Sequence, residues 1–135
     1  KVLLLRNGHV IMTMMVYVSQ IQKLLYNKCN TMRKINHIGI PVQKPVSGEM
    51  YNEGMQVYLT DFTKSPNKIE FLRFDKNSWM PEKIQTLAHI AYEVDNLDGE
   101  LENAKVLLPK TIVNEHLTIA FIEEEGIALE LMQFN

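Results

Sequence analysis

Cysteine is almost absent from this sequence: Cys29 is the only one, so no disulfide can close within the chain. That fits a reducing compartment, or a chain that needed no oxidation. The thiol is a poor candidate nucleophile, because its neighbours Asn27, Lys28 and Asn30 form a polar stretch with no flanking signature. Long hydrophobic runs are missing too. Nothing approaches the ~18–20 apolar residues that span a bilayer, and the stretch Val10–Ser19 lacks the small-residue cleavage site of a signal peptide. The expectation is a cytoplasmic protein with no membrane partner. Acidic residues are absent from the first 34 positions, which carry Lys1, Arg6, Lys23, Lys28, Arg33 and Lys34. All sixteen acids and the other eight bases follow, so a +6 head precedes a −8 remainder. Six charges over that length make no dense patch, and the acidic remainder argues against nucleic acid as a partner.

What is present is ordinary globular material. At 135 residues, 46% hydrophobic and 22% charged, the chain is long enough for one core that buries roughly two thirds of its unfolded surface without staples. Met14, Tyr17, Val18, Ile21, Leu24 and Leu25 fall at helical spacing, which predicts a helix over about Val10–Lys28. Composition then changes. Residues 1–31 read as an N-terminal helical extension and 32–135 as the main domain, with Met32 a candidate natural start.

From Ile35 the pattern is strand-like. Strands are expected over Lys34–Val42, Met55–Phe62, Lys68–Phe74, Leu87–Val94, Val106–Leu108, Leu117–Glu123 and Ile127–Phe134, with a short helix over Asn96–Ala104. The halves repeat. Asn36-His37-Ile38-Gly39-Ile40-Pro41-Val42 answers Ala88-His89-Ile90-Ala91-Tyr92-Glu93-Val94, and Ile69-Glu70-Phe71-Leu72-Arg73-Phe74 answers Leu129-Glu130-Leu131-Met132-Gln133-Phe134. Such a repeat implies two supersecondary units, about 33–80 and 86–135, closing one core between them. The first unit is shortened. Only Gln43–Gly54 separates its first two expected strands, too few residues for the helix of the second unit, and a strand is in question as well.

Strand parity decides which side chains meet. His37 shares a face with Gly39, His89 with Ala91, Glu70 with Leu72 and Phe74, and Glu130 with Ala128 and Met132. The small residue beside each histidine leaves room for a cavity. The opposite faces, Ile38/Ile40/Val42 and Ile90/Tyr92/Val94, are bulky and suit packing against helices. Two imidazoles and two carboxylates suit a divalent Zn, Ni, Co, Mn or Fe ion. Four protein ligands on a six-coordinate ion leave two positions for a substrate that chelates through two oxygens.

The paired His-Ile-x-x-x-Val openings and Ile-Glu or Leu-Glu closings resemble the vicinal oxygen chelate superfamily, which holds glyoxalases, methylmalonyl-CoA epimerase, extradiol dioxygenases and bleomycin resistance proteins. The resemblance covers about Ile35–Phe134. It implies an α+β fold of paired βαβββ modules forming an open eight-stranded barrel-like sheet, with the first module shortened. It also implies metal ligands His37, Glu70, His89 and Glu130, with Glu130 doubling as the proton-transfer base. The activity expected is a divalent-metal-dependent lyase or isomerase acting on a small molecule. The alternatives are a non-catalytic resistance-type binding protein and an Fe(II) ring-cleaving dioxygenase. A homodimer, with the site closed within one chain or across a swapped pair, stays open. One departure bears on substrate: Arg73 is the only arginine after Arg33, so arginines that would grip a glutathione or CoA moiety are not evident.

The remaining residues read more simply. His116 is expected to be solvated, Glu123–Glu125 an exposed hairpin turn, and Trp79 packing between modules rather than a substrate contact. The N-terminal apolar stripe is expected to pack on its own domain, in its most pointed form on the sheet where the first-module helix is missing.

Overall fold

The computed structural model describes residues 16–21 and 32–135. The chain divides into two compact units, Lys1–Met32 and Arg33–Asn135. In the first, residues 16–21 are helical. The rest of the expected Val10–Lys28 helix lies outside the described residues, as do Cys29 and any seat for that helix on the sheet. No helix among the described residues is long and apolar enough to cross a membrane.

The second unit is one open, curled sheet of eight strands: β1 (Lys34–Pro41), β2 (Met50–Asn52), β3 (Val57–Leu59), β4 (Ile69–Phe74), β5 (His89–Glu93), β6 (Lys105–Asn114), β7 (Leu117–Glu124) and β8 (Ile127–Phe134). Two short helices, α1 (Glu82–Thr86) and α2 (Leu97–Leu101), complete it with a 3-10 turn at Phe62–Lys64. The spatial order is β2-β3-β4-β1-β5-β8-β7-β6. Each half therefore places its first strand at the centre, parallel to its last, and its middle strands toward an edge.

The duplication visible in the sequence is also a duplication of register. Gly39 pairs with Glu70 across β1/β4, and Ala91 with Glu130 across β5/β8. Val42 N–H donates to the Leu72 carbonyl at 2.8 Å, and Val94 N–H to the Met132 carbonyl at 2.9 Å, the same bond in each half. At the antiparallel seam between halves, His37 lies opposite Ala91 and Gly39 opposite His89, with Ile38 facing Ile90 between them. A pseudo-twofold axis thus passes through that isoleucine pair.

The halves differ in how they are covered. β7 and β8 are buried on both faces, which is why Ile119-Ala120-Phe121-Ile122 is a continuous apolar run rather than an alternation. Ile119 and Phe121 pack in one cluster with Met80, Ile84 and Met132. Ala120 and Ile122 pack on the other side with Leu97, Leu129 and Leu131, and partly buried Ile90 and Tyr92 join them. Helix α2 supplies that outer cover. It is capped by Asn96, whose side chain accepts from Gly99 N–H at 3.1 Å, and Gln133 accepts from Leu97 N–H at 2.8 Å.

No helix lies between β1 and β2, as the short Gln43–Gly54 segment implies. The outer face of β1, expected to pack against a helix, instead exposes Ile35 and Ile38, at 55% and 40%. The doubtful first-module strand is present: β2 is three residues long, inside the stretch read as a loop. The expected Val106–Leu108 strand runs on to Asn114 through Pro109. Pro109 is tolerated because β6 is an edge strand, where a ladder donor can be spared, and the register shifts between Leu108 and Thr111.

Candidate metal centre

Two lateral rows of side chains cross the concave face. One is Glu70–Gly39–His89, the other His37–Ala91–Glu130. In each, a small residue sits between a histidine and a glutamate; over Ala91 the two long side chains meet, while Glu70 reaches across to His37 of the other row. The need is strict at Gly39: a Cβ there would fall on the His89 ring, 2.7 Å from Nδ1 and closer still to Cε1 and Nε2.

All four residues expected at the site face one cavity of about 170 Å³. His37, His89 and Glu130 are buried and bring one ligand atom each within 4.8 Å of one another. Glu130 Oε2 lies 3.4 Å from His37 Nε2 and 3.4 Å from His89 Nε2. Glu70 Oε2 also lies 3.4 Å from His37 Nε2 but does not complete the three-atom cluster; it stands at the more open side of the wall. Burial works against charge on His37, yet Glu130 and Glu70 outweigh it and raise its pKa to about 9. Burial likewise pushes the Glu130 carboxyl upward, but His37 and His89 overcome that and bring it down to about 2.

Three neighbours hold the rings and were not singled out from the sequence. Asn36 is the extra residue of a β-bulge, where the register shifts between Ile35 and His37. The bulge turns the Asn36 side chain inward, where its Oδ1 accepts from His37 Nδ1–H at 2.8 Å while its Nδ2 donates to Glu93 at 2.8 Å. His37 is thereby fixed with Nε2 toward the site. Phe62, carried by the 3-10 turn, stacks on His37 with centroids 4.6 Å apart. Phe121, paired across the ladder with Glu130, meets His89 edge-on at 5.2 Å. A bulge and a one-turn helix leave no periodic signal, which is why Asn36 and Phe62 were not legible.

Other expected roles resolve plainly. His116 is exposed beside Glu115. Trp79 is half-exposed, donates its Nε1–H to the Gly54 carbonyl and stands outside the cavity wall. The Glu123–Glu125 segment is less solvated than expected. Lys83 and Lys105 both reach Glu123, and Arg33 pairs with Glu124 and Glu100, so only Glu125 sits in the turn without an ion pair. Arg73 pairs with Glu49 and lies over the Tyr58 ring, away from the concave face.

The donor set fits a divalent ion. His37 Nε2 and His89 Nε2 are buried without a hydrogen-bond partner, a costly state that a cation relieves. The three nitrogen–carboxylate separations are 3.4 Å, close enough for these donors to share one ion. Two nitrogens and one or two carboxylate oxygens suit Zn, Ni, Co, Mn or Fe(II) equally.

No family model matches the chain. No curated protein matches it either. Among solved structures, one similar chain is methylmalonyl-CoA epimerase from Mycobacterium tuberculosis, at 16% identity and a TM-score of 0.49, over 75% of this chain and 87% of that one. The candidate residues are two histidines and two glutamates, two from each half of a duplicated sheet, on the wall of one largely apolar cavity.

Proposed function

We propose that this chain is a divalent-metal-dependent lyase or isomerase of the vicinal oxygen chelate type, acting on a small substrate that presents two adjacent oxygens. One observation carries the reading: the buried, unpartnered Nε2 atoms of His37 and His89 converge on Glu130 in an otherwise apolar cavity. His37, His89 and Glu130 would hold the ion, with Glu70 the fourth donor. A bound divalent ion supplies Lewis-acid polarisation of a carbonyl, which acidifies the adjacent carbon.

The chain's own residues supply the rest. Glu130, 3.4 Å from the Nε2 atoms of both histidines, would be the carboxylate that takes up the proton. Glu70 is the second carboxylate on the same wall and can return a proton from a different side. Apolar residues from both halves exclude water from the reacting carbon.

Metal analysis tests this directly. Purified protein is expected to hold about one equivalent of Zn, Ni, Co or Mn per chain, lost in His89→Ala while the far-UV circular dichroism is retained. Protein that stays metal-free after incubation with each ion overturns the reading and favours a metal-independent binding protein. Oxygen-sensitive Fe(II) as the one retained ion points instead to a dioxygenase.

A further inference from the structure

Among the described residues, the cavity wall holds no lysine and no arginine. Its polar members are the four site residues and Asn52; everything else is aliphatic, aromatic or methionine, including Met55, Val57, Phe74, Val113, Ile119 and Phe121. The two arginines of the sheet unit are engaged elsewhere: Arg33 with Glu100 and Glu124, Arg73 with Glu49 on the opposite face of β4. The lysines that pair do so with Glu93, Asp61, Glu123 and Asp98, none of which lines the cavity. An anionic substituent lying on the wall away from the ion would lose its water, find no lysine or arginine, and face Glu70 and Glu130.

The remaining polar group is neutral. Asn52 Oδ1 accepts from Met55 N–H at 3.0 Å, which fixes the amide orientation and leaves its Nδ2 as a donor. That donor suits a carbonyl or hydroxyl oxygen. Size narrows the class further: an apolar cavity of about 150 Å³ accepts benzene, and this one is about 170 Å³.

We infer that the part of the substrate held inside the cavity is uncharged, largely apolar and of about one ring's bulk, carrying two adjacent oxygens and no carboxylate, phosphate or sulfonate. The inference rests on the metal-chelate reading above and adds to it the chemistry of the part of the ligand that does not meet the ion. It excludes substrates whose recognition depends on an anionic handle inside the cavity.

The test uses the zinc-loaded full chain and two compounds with the same pair of adjacent hydroxyls, 4-methylcatechol and 3,4-dihydroxybenzoate, titrated calorimetrically. The methyl compound is expected to bind at least tenfold more tightly. Val113→Lys, which places a cation on the wall from an edge strand, is expected to shrink or reverse that preference. Equal affinities, tighter binding of the acid, or no binding of either compound to zinc-loaded protein overturns this inference alone. An unchanged preference in a folded Val113→Lys protein removes wall charge as its cause and overturns it too. Failure to take up zinc overturns the metal reading and this inference together.

Discussion

At the scale of residues, His37 and Glu130 hold each other ionised in the metal-free site. His37 sits at about 9, above its ordinary 6.5, and Glu130 at about 2, below its ordinary 4.5. A raised histidine contributes stability that is fully present below pH 6.5 and is lost as pH rises through 9. A depressed carboxylate contributes stability present above pH 4.5 and lost as pH falls toward 2. Metal-free protein is therefore expected to be most stable between about pH 4.5 and 6.5. His37→Gln should flatten the decline between pH 6.5 and 9, as read by urea midpoints across that range. A variant whose alkaline limb parallels the parent's would show that His37 is not held as an imidazolium by these glutamates. That His37, Glu70, His89 and Glu130 would face one cavity was legible, because strand parity and the repeat point at the same positions. Asn36 and Phe62 were not, because a bulge breaks parity and a single 3-10 turn has no period.

At the scale of elements, the two halves share their centre strands and differ in their flanks. β6 and β7 run ten and eight residues, whereas β2 and β3 run three each, and within Arg33–Asn135 α2 packs on the outer face of the second half while no helix separates β1 from β2. The missing helix was readable from loop length. The presence of β2 was not, since Met50-Tyr51-Asn52 is too short to alternate and is flanked by Gly48 and Gly54. The unequal cover has an energetic consequence. Leu97 of α2 is fully buried against β7 and β8, so Leu97→Ala should destabilise by about 2–5 kcal/mol, transfer loss plus cavity. Ile38, at the seam but 40% exposed on the outer face, should cost less than about 1.5 kcal/mol on the same substitution. Chemical denaturation of the two single variants measures the contrast. Equal losses would mean that the outer face of β1 is covered as fully as that of β5.

At the scale of the whole molecule, the duplication brings the four candidate residues together. Gly39/Glu70 and Ala91/Glu130 are the same pairing made twice, and the seam places His37 of one half 3.4 Å from Glu130 of the other. An ion bound here is therefore a cross-link between halves and should stabilise the sheet as a unit. At a zinc concentration 100-fold above Kd the linkage is worth about 2.7 kcal/mol. For a domain of about 100 residues that is a rise in Tm of roughly 10 °C or somewhat more. Because the donors come from both halves, His37→Ala should abolish this rise as fully as His89→Ala does, although His37 stands in the shortened half. Thermal melts of the parent and both variants, with zinc and with chelator, read the difference. A zinc-dependent rise that survived in His37→Ala and vanished in His89→Ala would confine the ion to the second half. The shared seam would then owe its register to packing of Ile38 against Ile90 rather than to a common ligand.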